Sequence, residues 1–139
     1  MVASPPTEAR RPGVLVAEDD DNVRTMLSRV LAKRGFTVWL ATKSAEAIEV
    51  YRRESAAIDV ALLTVQLPGL GGPKTLQVLR AANPALPACF MTVDSRDYDP
   101  EQVAILRAVR VFRKPFVVDK LVEALWQLET ESVASPAPA

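Results

Sequence analysis

The sequence predicts an α/β fold built around a doubly wound parallel sheet. Short apolar segments alternate with segments in which apolar residues recur at helical spacing, the order expected of βαβ units. The apolar segments lack the polar alternation of a sheet with one solvated face, so we expect strands that are buried on both faces. Hydrophobic residues make up 49% of the 139 residues and aromatic residues 6%, which favours an aliphatic core in a single domain.

Five strands and five helices are predicted. The strands lie at residues 14–17, 36–41, 58–64, 87–92 and 109–113. Asp20 is a candidate N-cap of the first helix, Gly35 is a candidate stop, and Pro73 suits the first residue of the third helix. The second helix is predicted over residues 44–54, and a fourth begins near residues 99–102. Apolar spacing then predicts a last helix with an inward stripe of Val118, Leu121, Leu125 and Leu128.

The two ends of the chain differ from its middle. Residues 1–12 contain three prolines without apolar periodicity, and residues 131–139 form a Ser/Ala/Pro segment. We therefore predict tails at 1–12 and 131–139, and one domain at 13–130.

Composition excludes several function classes. Lys plus Arg equals Asp plus Glu at 17 each, so no net field attracts nucleic acid or a membrane surface, and neither is an expected partner. His is absent, which removes His-based catalysis and His-ligated metals. No apolar segment approaches the roughly 20 residues of a membrane span, and no secretory signal is evident, so a cytoplasmic location is expected. The lone Cys89 lies in an apolar segment and is expected to be a buried hydrophobe.

Polar residues follow four of the predicted strands, where a doubly wound sheet carries its site. Glu18 and Asp19 follow strand one, and their carboxylates suit a hard cation such as Mg²⁺ or simply a solvated first turn of the helix. Thr64 ends strand three, Thr92 ends strand four and Lys114 follows strand five. Hydroxyl and ammonium groups directed at one point suit a phosphoryl oxygen. A flavodoxin-like cofactor binder is disfavoured, because the loops lack a Gly-rich phosphate cradle.

Four segments in this order resemble the receiver domain of bacterial two-component response regulators: residues 14–20, 59–72, 91–92 and 112–116. The resemblance covers residues 13–130 and implies a flavodoxin-like sheet with strand order 2-1-3-4-5. It implies that Glu18, Asp19 and the backbone carbonyl of Gln66 hold Mg²⁺. It also implies that Thr92 is the conserved hydroxyl residue and that Lys114 precedes a cis-proline.

Three positions depart from the pattern of that family. Thr64 stands where the family has its phosphoacceptor aspartate, bulky Val93 follows the hydroxyl residue, and Val111 stands at the position of an aromatic switch residue. A Thr hydroxyl is not an ionised nucleophile. We therefore expect a pseudo-receiver that is not an enzyme, needs no cofactor beyond weak Mg²⁺, and acts as a phosphorylation-independent regulatory or protein-interaction module in a phosphorelay.

Two alternatives to the pseudo-receiver stay open. In one, the domain accepts a phosphoryl group at a non-standard residue, for which Thr64, Asp19 and Asp94 are the candidates. In the other, the chain is a Thr-substituted variant of an active receiver.

The charges also predict how the site and one surface behave. With the acceptor carboxylate gone, the ammonium of Lys114 is expected to lean toward Asp19. The partner is expected to be a kinase, output or regulatory protein. A weak homodimer is expected through the face of helix four, strand five and helix five, whose candidate contacts are Arg107, Arg110, Arg113, Asp119, Lys120 and Glu123.

Overall fold

A five-stranded parallel sheet lies between two layers of helices in the computed structural model, which describes residues 10–93 and 110–134. The strands are β1 Gly13–Ala17, β2 Thr37–Ala41, β3 Val60–Thr64, β4 Ala88–Thr92 and β5 Arg110–Arg113. The helices are α1 Asp21–Lys33, α2 Ser44–Glu54, α3 Gly72–Ala82 and α4 Val118–Ala134, with a 3₁₀ turn at Ser55–Ala57. The strand order β2-β1-β3-β4-β5 confirms the predicted order 2-1-3-4-5.

The three inner strands explain why the sequence reads as continuous apolar segments. Every residue of β1, β3 and β4 is buried. β2 and β5 each pair on one side only within the described chain, and both carry exposed residues. All pairings are parallel, so the carboxyl ends of β1, β3, β4 and β5 open onto the same edge of the sheet.

Each face of the sheet has its own apolar layer. One layer packs side chains of α2 and α3 against the sheet, including Ala47, Tyr51, Leu76 and Leu79. The other packs α1 and α4 against the opposite face, including Leu27, Leu31, Leu121, Leu125 and Leu128. Cys89 is fully buried in the second layer, as predicted, and burial raises the pKa of its thiol to about 12 despite the opposing charge of Arg110.

The helix ends follow the local signals of the sequence. Asp20 accepts hydrogen bonds from the N–H groups of Asn22 and Val23, at 2.9 and 3.0 Å, and so caps α1. Gly35 has a φ of 104°, the left-handed region that favours glycine after a helix. The bounds of α2 match the predicted residues 44–54.

Some predicted boundaries differ from the structure. The last helix continues to Ala134, past the predicted domain end at Thr130, so part of the predicted tail at 131–139 is helical. The predicted fourth helix, Asp94 and Arg107 lie outside the described residues. None of the helices within residues 10–93 and 110–134 combines the length and apolar character that crossing a membrane requires.

Glu46 stabilises the start of α2. One of its carboxylate oxygens accepts hydrogen bonds from the backbone N–H and the hydroxyl of Thr42, at 2.7 and 2.9 Å. These bonds, the backbone one most strongly, lower the pKa of Glu46.

Replacing Glu46 by Ala should lower the free energy of unfolding by about 1 kcal/mol at neutral pH, because both donors of Thr42 lose their acceptor. The pKa of Glu46 is lowered in the folded protein, so its stabilisation is present above the unfolded pKa and is lost as the pH falls through the folded pKa. Urea unfolding of both proteins should therefore converge at acid pH.

The control is Glu49→Ala on the same helix, where the lost contacts are exposed ion pairs with Arg52 and Arg53. That variant should lose less than about 0.5 kcal/mol. An equal loss in the two variants at neutral pH would contradict the capping role of Glu46.

Candidate functional site

The polar site lies where β1, β3, β4 and β5 end. Glu18 follows β1, Thr64 closes β3, Thr92 closes β4 and Lys114 follows β5. The backbone continues the sheet at two of these positions, because the N–H of Glu18 donates to Ala41 at 2.9 Å and that of Lys114 donates to Thr92 at 2.7 Å. The parallel sheet therefore holds four polar side chains, a carboxylate, two hydroxyls and an ammonium, at one edge.

Glu18 is the central carboxylate of the site and is fully buried. Its Oε1 accepts a hydrogen bond from Lys114 Nζ at 2.6 Å, and its Oε2 accepts one from the N–H of Asp20 at 3.0 Å. Both oxygens therefore have donors inside the chain, which a buried charge requires.

The predicted partner of Lys114 was wrong. The ammonium pairs with Glu18 rather than with Asp19, whose side chain is exposed. The N–H of Glu18 is hydrogen-bonded to the carbonyl of Ala41 at the end of β2, and Glu18 is buried whereas Asp19 is exposed. Glu18 thus faces the site while Asp19 faces solvent.

Thr64 lies directly under the ammonium. Its side chain is 1% exposed, and its Oγ1 accepts a hydrogen bond from Lys114 Nζ at 3.1 Å. The same hydroxyl donates to the carbonyl of Met91 at 3.4 Å. The peptide bond between Lys114 and Pro115 is cis, as the resemblance implies.

Gln66 and Thr92 form a second polar contact that the sequence did not predict. The amide Nε2 of Gln66 donates to Thr92 Oγ1 at 2.9 Å. The resemblance to receivers implies a role only for the backbone carbonyl of Gln66. One feature of the sequence could have predicted this contact. Gln66 is a polar residue just after β3, and Thr92 ends β4, the strand that pairs with β3.

Arg24 is a further contributor to the site that was not predicted from the sequence. Its Nη1 donates to the carbonyl oxygen of Glu18 at 2.9 Å, and its Nη2 pairs with Asp21. Arg24 thereby ties α1 to the loop that carries Glu18. The spacing of Asp21 and Arg24 on one helical face was the available signal.

The two apolar departures have different surroundings. Val93 is 56% exposed at the end of β4. Val111 is half-buried, lies opposite Phe90 in the β4–β5 register, and packs against the apolar layer that contains α2 and α3. That Val93 and Val111 depart from the family's pattern stays a prediction.

The described residues are a poor fit for a resident metal ion. In residues 10–93 and 110–130 no three Asp, Glu, Cys or His side chains are grouped so that they could hold a metal. The buried carboxylate of Glu18 is already neutralised by Lys114. A cation at Glu18 would therefore have to displace an ammonium.

The strand order and the polar edge define a flavodoxin-like α/β protein with a site at the carboxyl ends of its strands. A family model described as "Response regulator receiver domain" matches residues 14–126. The chain belongs to the response regulator receiver domain family.

Solved structures show the same fold. A receiver domain protein from Clostridium thermocellum superposes with a TM-score of 0.80 at 22% identity, covering 88% of this chain and 98% of that one. The response regulator TrrA from Thermotoga maritima, solved in complex with Mg²⁺ and BeF, superposes with a TM-score of 0.74 at 23% identity, covering 84% of this chain and 98% of that one.

Curated relatives are bacterial signalling proteins that are longer than this chain. The sensor kinase CckA of Brucella abortus is 28% identical over 83% of this chain, and the transcriptional regulator NtrC of Escherichia coli is 33% identical over 78% of it. The response regulator MprA of Mycobacterium ulcerans is 35% identical over 78% of it. The chain spans 12%, 23% and 46% of these three relatives.

Replacing Lys114 by Met should lower the free energy of unfolding by about 3 kcal/mol, because Glu18 is left as an unpaired buried charge. The double variant Lys114→Met with Glu18→Gln should be more stable than Lys114→Met alone, since the amide carries no charge. Chemical denaturation at neutral pH measures both differences.

Arg52→Met is the matched control, because it also removes a cation from an ion pair, but one that is exposed on α2. Its loss should stay below about 0.5 kcal/mol. A Lys114→Met variant no less stable than this control would show that the buried pair contributes nothing.

Proposed function

We propose that this receiver is a pseudo-receiver: a phosphorylation-independent regulatory and protein-interaction module in a two-component phosphorelay, without enzymatic activity of its own. The observation that carries the proposal is the contact of Lys114 Nζ with both Glu18 and Thr64 at the carboxyl edge. The ammonium of Lys114 already has two hydrogen-bond partners inside the chain. One of them, Thr64, stands where the resemblance places the family's phosphoacceptor.

The chemistry of Thr64 supports this proposal. An acceptor must offer an electron pair to phosphorus, and an un-ionised hydroxyl needs a base to do so. Thr64 Oγ1 instead accepts a hydrogen bond from an ammonium and donates a long one to the carbonyl of Met91. Neither partner is a base, and the chain contains no histidine that could become one.

Transfer to a different residue is the second candidate function. Asp19 is exposed, and its ionised carboxylate is the sort of group that can attack a phosphodonor. Asp94, the other candidate carboxylate, lies outside the described residues. Exposure of Asp19 is the observation that favours this candidate, whereas the pairing of Lys114 with Glu18 is against it, because it directs that ammonium away from Asp19.

Incubation with a small phosphodonor and Mg²⁺, followed by intact-mass measurement, tests the proposal. The wild-type chain should gain no phosphoryl group. A receiver domain with an intact acceptor aspartate, treated in parallel, shows that the reagent is active. A stoichiometric mass gain would overturn the proposal, and peptide mapping would then distinguish Thr64, Asp19 and Asp94.

Magnesium should bind weakly, with Glu18, Asp19 and the carbonyl of Gln66 as its ligands. A cation must compete with Lys114, which lies 2.6 Å from Glu18 Oε1, and the site lacks a carboxylate at position 64. Calorimetry of the wild type should show no saturation at about millimolar Mg²⁺. Thr64→Asp should bind more tightly, because it restores an ionised ligand.

Glu18→Gln is the control for location in the magnesium titration. Sub-millimolar binding by the wild type that disappears in Glu18→Gln would contradict the prediction of a weak site. Equally weak binding by the wild type and Thr64→Asp would contradict the role of the missing carboxylate.

The interaction surface is proposed at the face of β5 and α4. The helix α4 is the one that was predicted from the sequence as helix five. Exposed charges there include Arg110, Arg113, Lys120 and Glu123. Two of the predicted contact residues have partners within the chain. Asp119 pairs with Arg34, and the guanidinium of Arg110 lies 4.8 Å from the ring centre of Phe112. The face therefore presents mixed charges on an ordered support, which suits pairing with a kinase, an output domain or a second copy.

Analytical ultracentrifugation tests this surface. A weak, concentration-dependent dimer should form equally with and without a phosphodonor, and Arg113→Glu should reduce it because a cation on the face is reversed. The control is Lys74→Glu on α3, which reverses an exposed positive charge outside this face. A strict monomer at high concentration would refute the homodimer. A sedimenting mass that changes when a phosphodonor is added would refute an interaction that is independent of phosphorylation.

A further inference from the structure

A second polar cluster lies at the amino edge of the sheet, where the parallel strands begin. Arg10, three residues before β1, donates from Nη2 to Asp59 Oδ1 at 2.9 Å and from Nη1 to the carbonyl oxygen of Ala57 at 3.1 Å. Asp59 directly precedes β3. The cluster is therefore at the opposite end of the strands from Glu18 and Lys114.

Asp59 is a fixed carboxylate in this cluster. Its Oδ2 accepts a hydrogen bond from the N–H of Gly13, the first residue of β1, at 2.8 Å. The N–H of Asp59 donates in turn to the carbonyl of Gly13 at 2.8 Å. The Asp59 side chain is only 16% exposed, so its charge is largely shielded from water and both of its oxygens have donors.

The guanidinium of Arg10 attaches the chain to the domain ahead of the first backbone pairing. That pairing is at Pro12, whose carbonyl accepts a hydrogen bond from the N–H of Thr37 at 2.9 Å. Among the hydrogen bonds within residues 10–93 and 110–134, those of the Arg10 side chain are the ones that lie N-terminal to Pro12. Arg10 and Pro12 thus make defined contacts within the segment predicted as a tail at 1–12.

A second carboxylate acts on the same cation. Burial and, to a smaller extent, the charge of Asp59 raise the pKa of Glu129 on α4, whereas Arg10 and a hydrogen bond with Thr130 oppose the rise. The hydrogen bond with Asp59 most strongly raises the pKa of Arg10, and the charge of Glu129 adds to that effect. Arg10 is therefore a cation shared by carboxylates from two separate parts of the fold.

The exposure of Arg10 limits the strength of this contact. Its side chain is 54% exposed, whereas the side chains of Lys114 and Glu18 are 13% and 0% exposed. Ion pairs with an exposed partner are weak and are screened by salt. The contact between Arg10 and Asp59 can therefore open under conditions in which the apolar layers keep the domain folded.

We propose that Arg10 is an electrostatic clasp that holds the chain before Pro12 against the amino edge of the sheet and releases it when the charge of Asp59 is removed or screened. With the clasp closed, the chain is attached to the domain from Arg10 onward. With the clasp open, it is attached from Pro12 onward. The inference goes beyond the proposed function, because it involves neither phosphoryl transfer nor the face of β5 and α4.

Limited digestion with trypsin tests the clasp. Arg10 is the first Lys or Arg of the sequence, and the bond after Arg11 is resistant because Pro12 follows it. A clasped Arg10 side chain cannot enter the protease. Asp59→Asn removes the charge but keeps an acceptor oxygen for Gly13, so cleavage after Arg10 should become about fivefold faster at low salt. The difference from the wild type should disappear at about 1 M NaCl.

Intact mass measures this digestion as the loss of residues 1–10, which separates it from cleavage inside an unfolded domain. The control is Asp119→Asn, which removes a carboxylate from another exposed arginine pair, that with Arg34. Its rate of cleavage after Arg10 should equal that of the wild type.

A second measurement does not depend on the Asp59 variant. In a ¹³C titration of the side-chain carboxyls, Arg10→Met should raise the pKa of Glu129, because the cation that opposes the rise is lost. Arg10→Lys keeps the positive charge and should leave the pKa of Glu129 close to that of the wild type. Arg34→Met removes a different cation bound to α4 and should not change this pKa.

Equal cleavage rates after Arg10 in the wild type and Asp59→Asn at low salt would overturn the clasp. A rate increase of the same size in Asp119→Asn would do the same, because it would not be specific to Asp59. A pKa of Glu129 that is unchanged in Arg10→Met would show that Arg10 is not held beside the two carboxylates in solution.

Discussion

The ion pair between Lys114 and Glu18 organises the carboxyl edge of the sheet. The two residues are 96 positions apart in the chain, yet Nζ and Oε1 are 2.6 Å apart. Burial of the Glu18 charge is tolerated only with a close opposite charge and a further hydrogen bond, which the N–H of Asp20 supplies. Since β1 and β5 are separated by β3 and β4, the pair draws the ammonium across the sheet and over Thr64.

The identity of residue 64 then decides the charge balance of the site. With a threonine hydroxyl, one carboxylate and one ammonium pair inside the protein, and the hydroxyl accepts a further hydrogen bond from the ammonium. A carboxylate at that position would compete with Glu18 for Lys114 and leave an excess of negative charge, the condition under which a hard cation binds.

Much of the fold was predictable because burial leaves a pattern in the chain. β1, β3 and β4 are apolar throughout since both of their faces are covered, and Asp20 and Gly35 are the residue types that helix ends require. Strand starts were less predictable. Phe36 and Ile58 are buried but lie outside β2 and β3, because hydrophobicity reports burial and not membership of the hydrogen-bonded ladder. The end of α4 at Ala134 was missed because Pro136 and Pro138 give the whole C-terminal segment the composition of a tail, although its first residues are compatible with a helix.

The sequence by itself determined the strand order through its resemblance to receivers, and it placed an acidic pair, two hydroxyls and a lysine at successive strand ends. It also determined that position 64 carries no ionisable group. Only the tertiary structure decided that Lys114 pairs with Glu18 and not Asp19, and that Gln66 contacts Thr92. The physical reason is that such contacts depend on strand register and on the direction of each side chain. Both are set by packing among segments far apart in the chain, and neither leaves a local pattern.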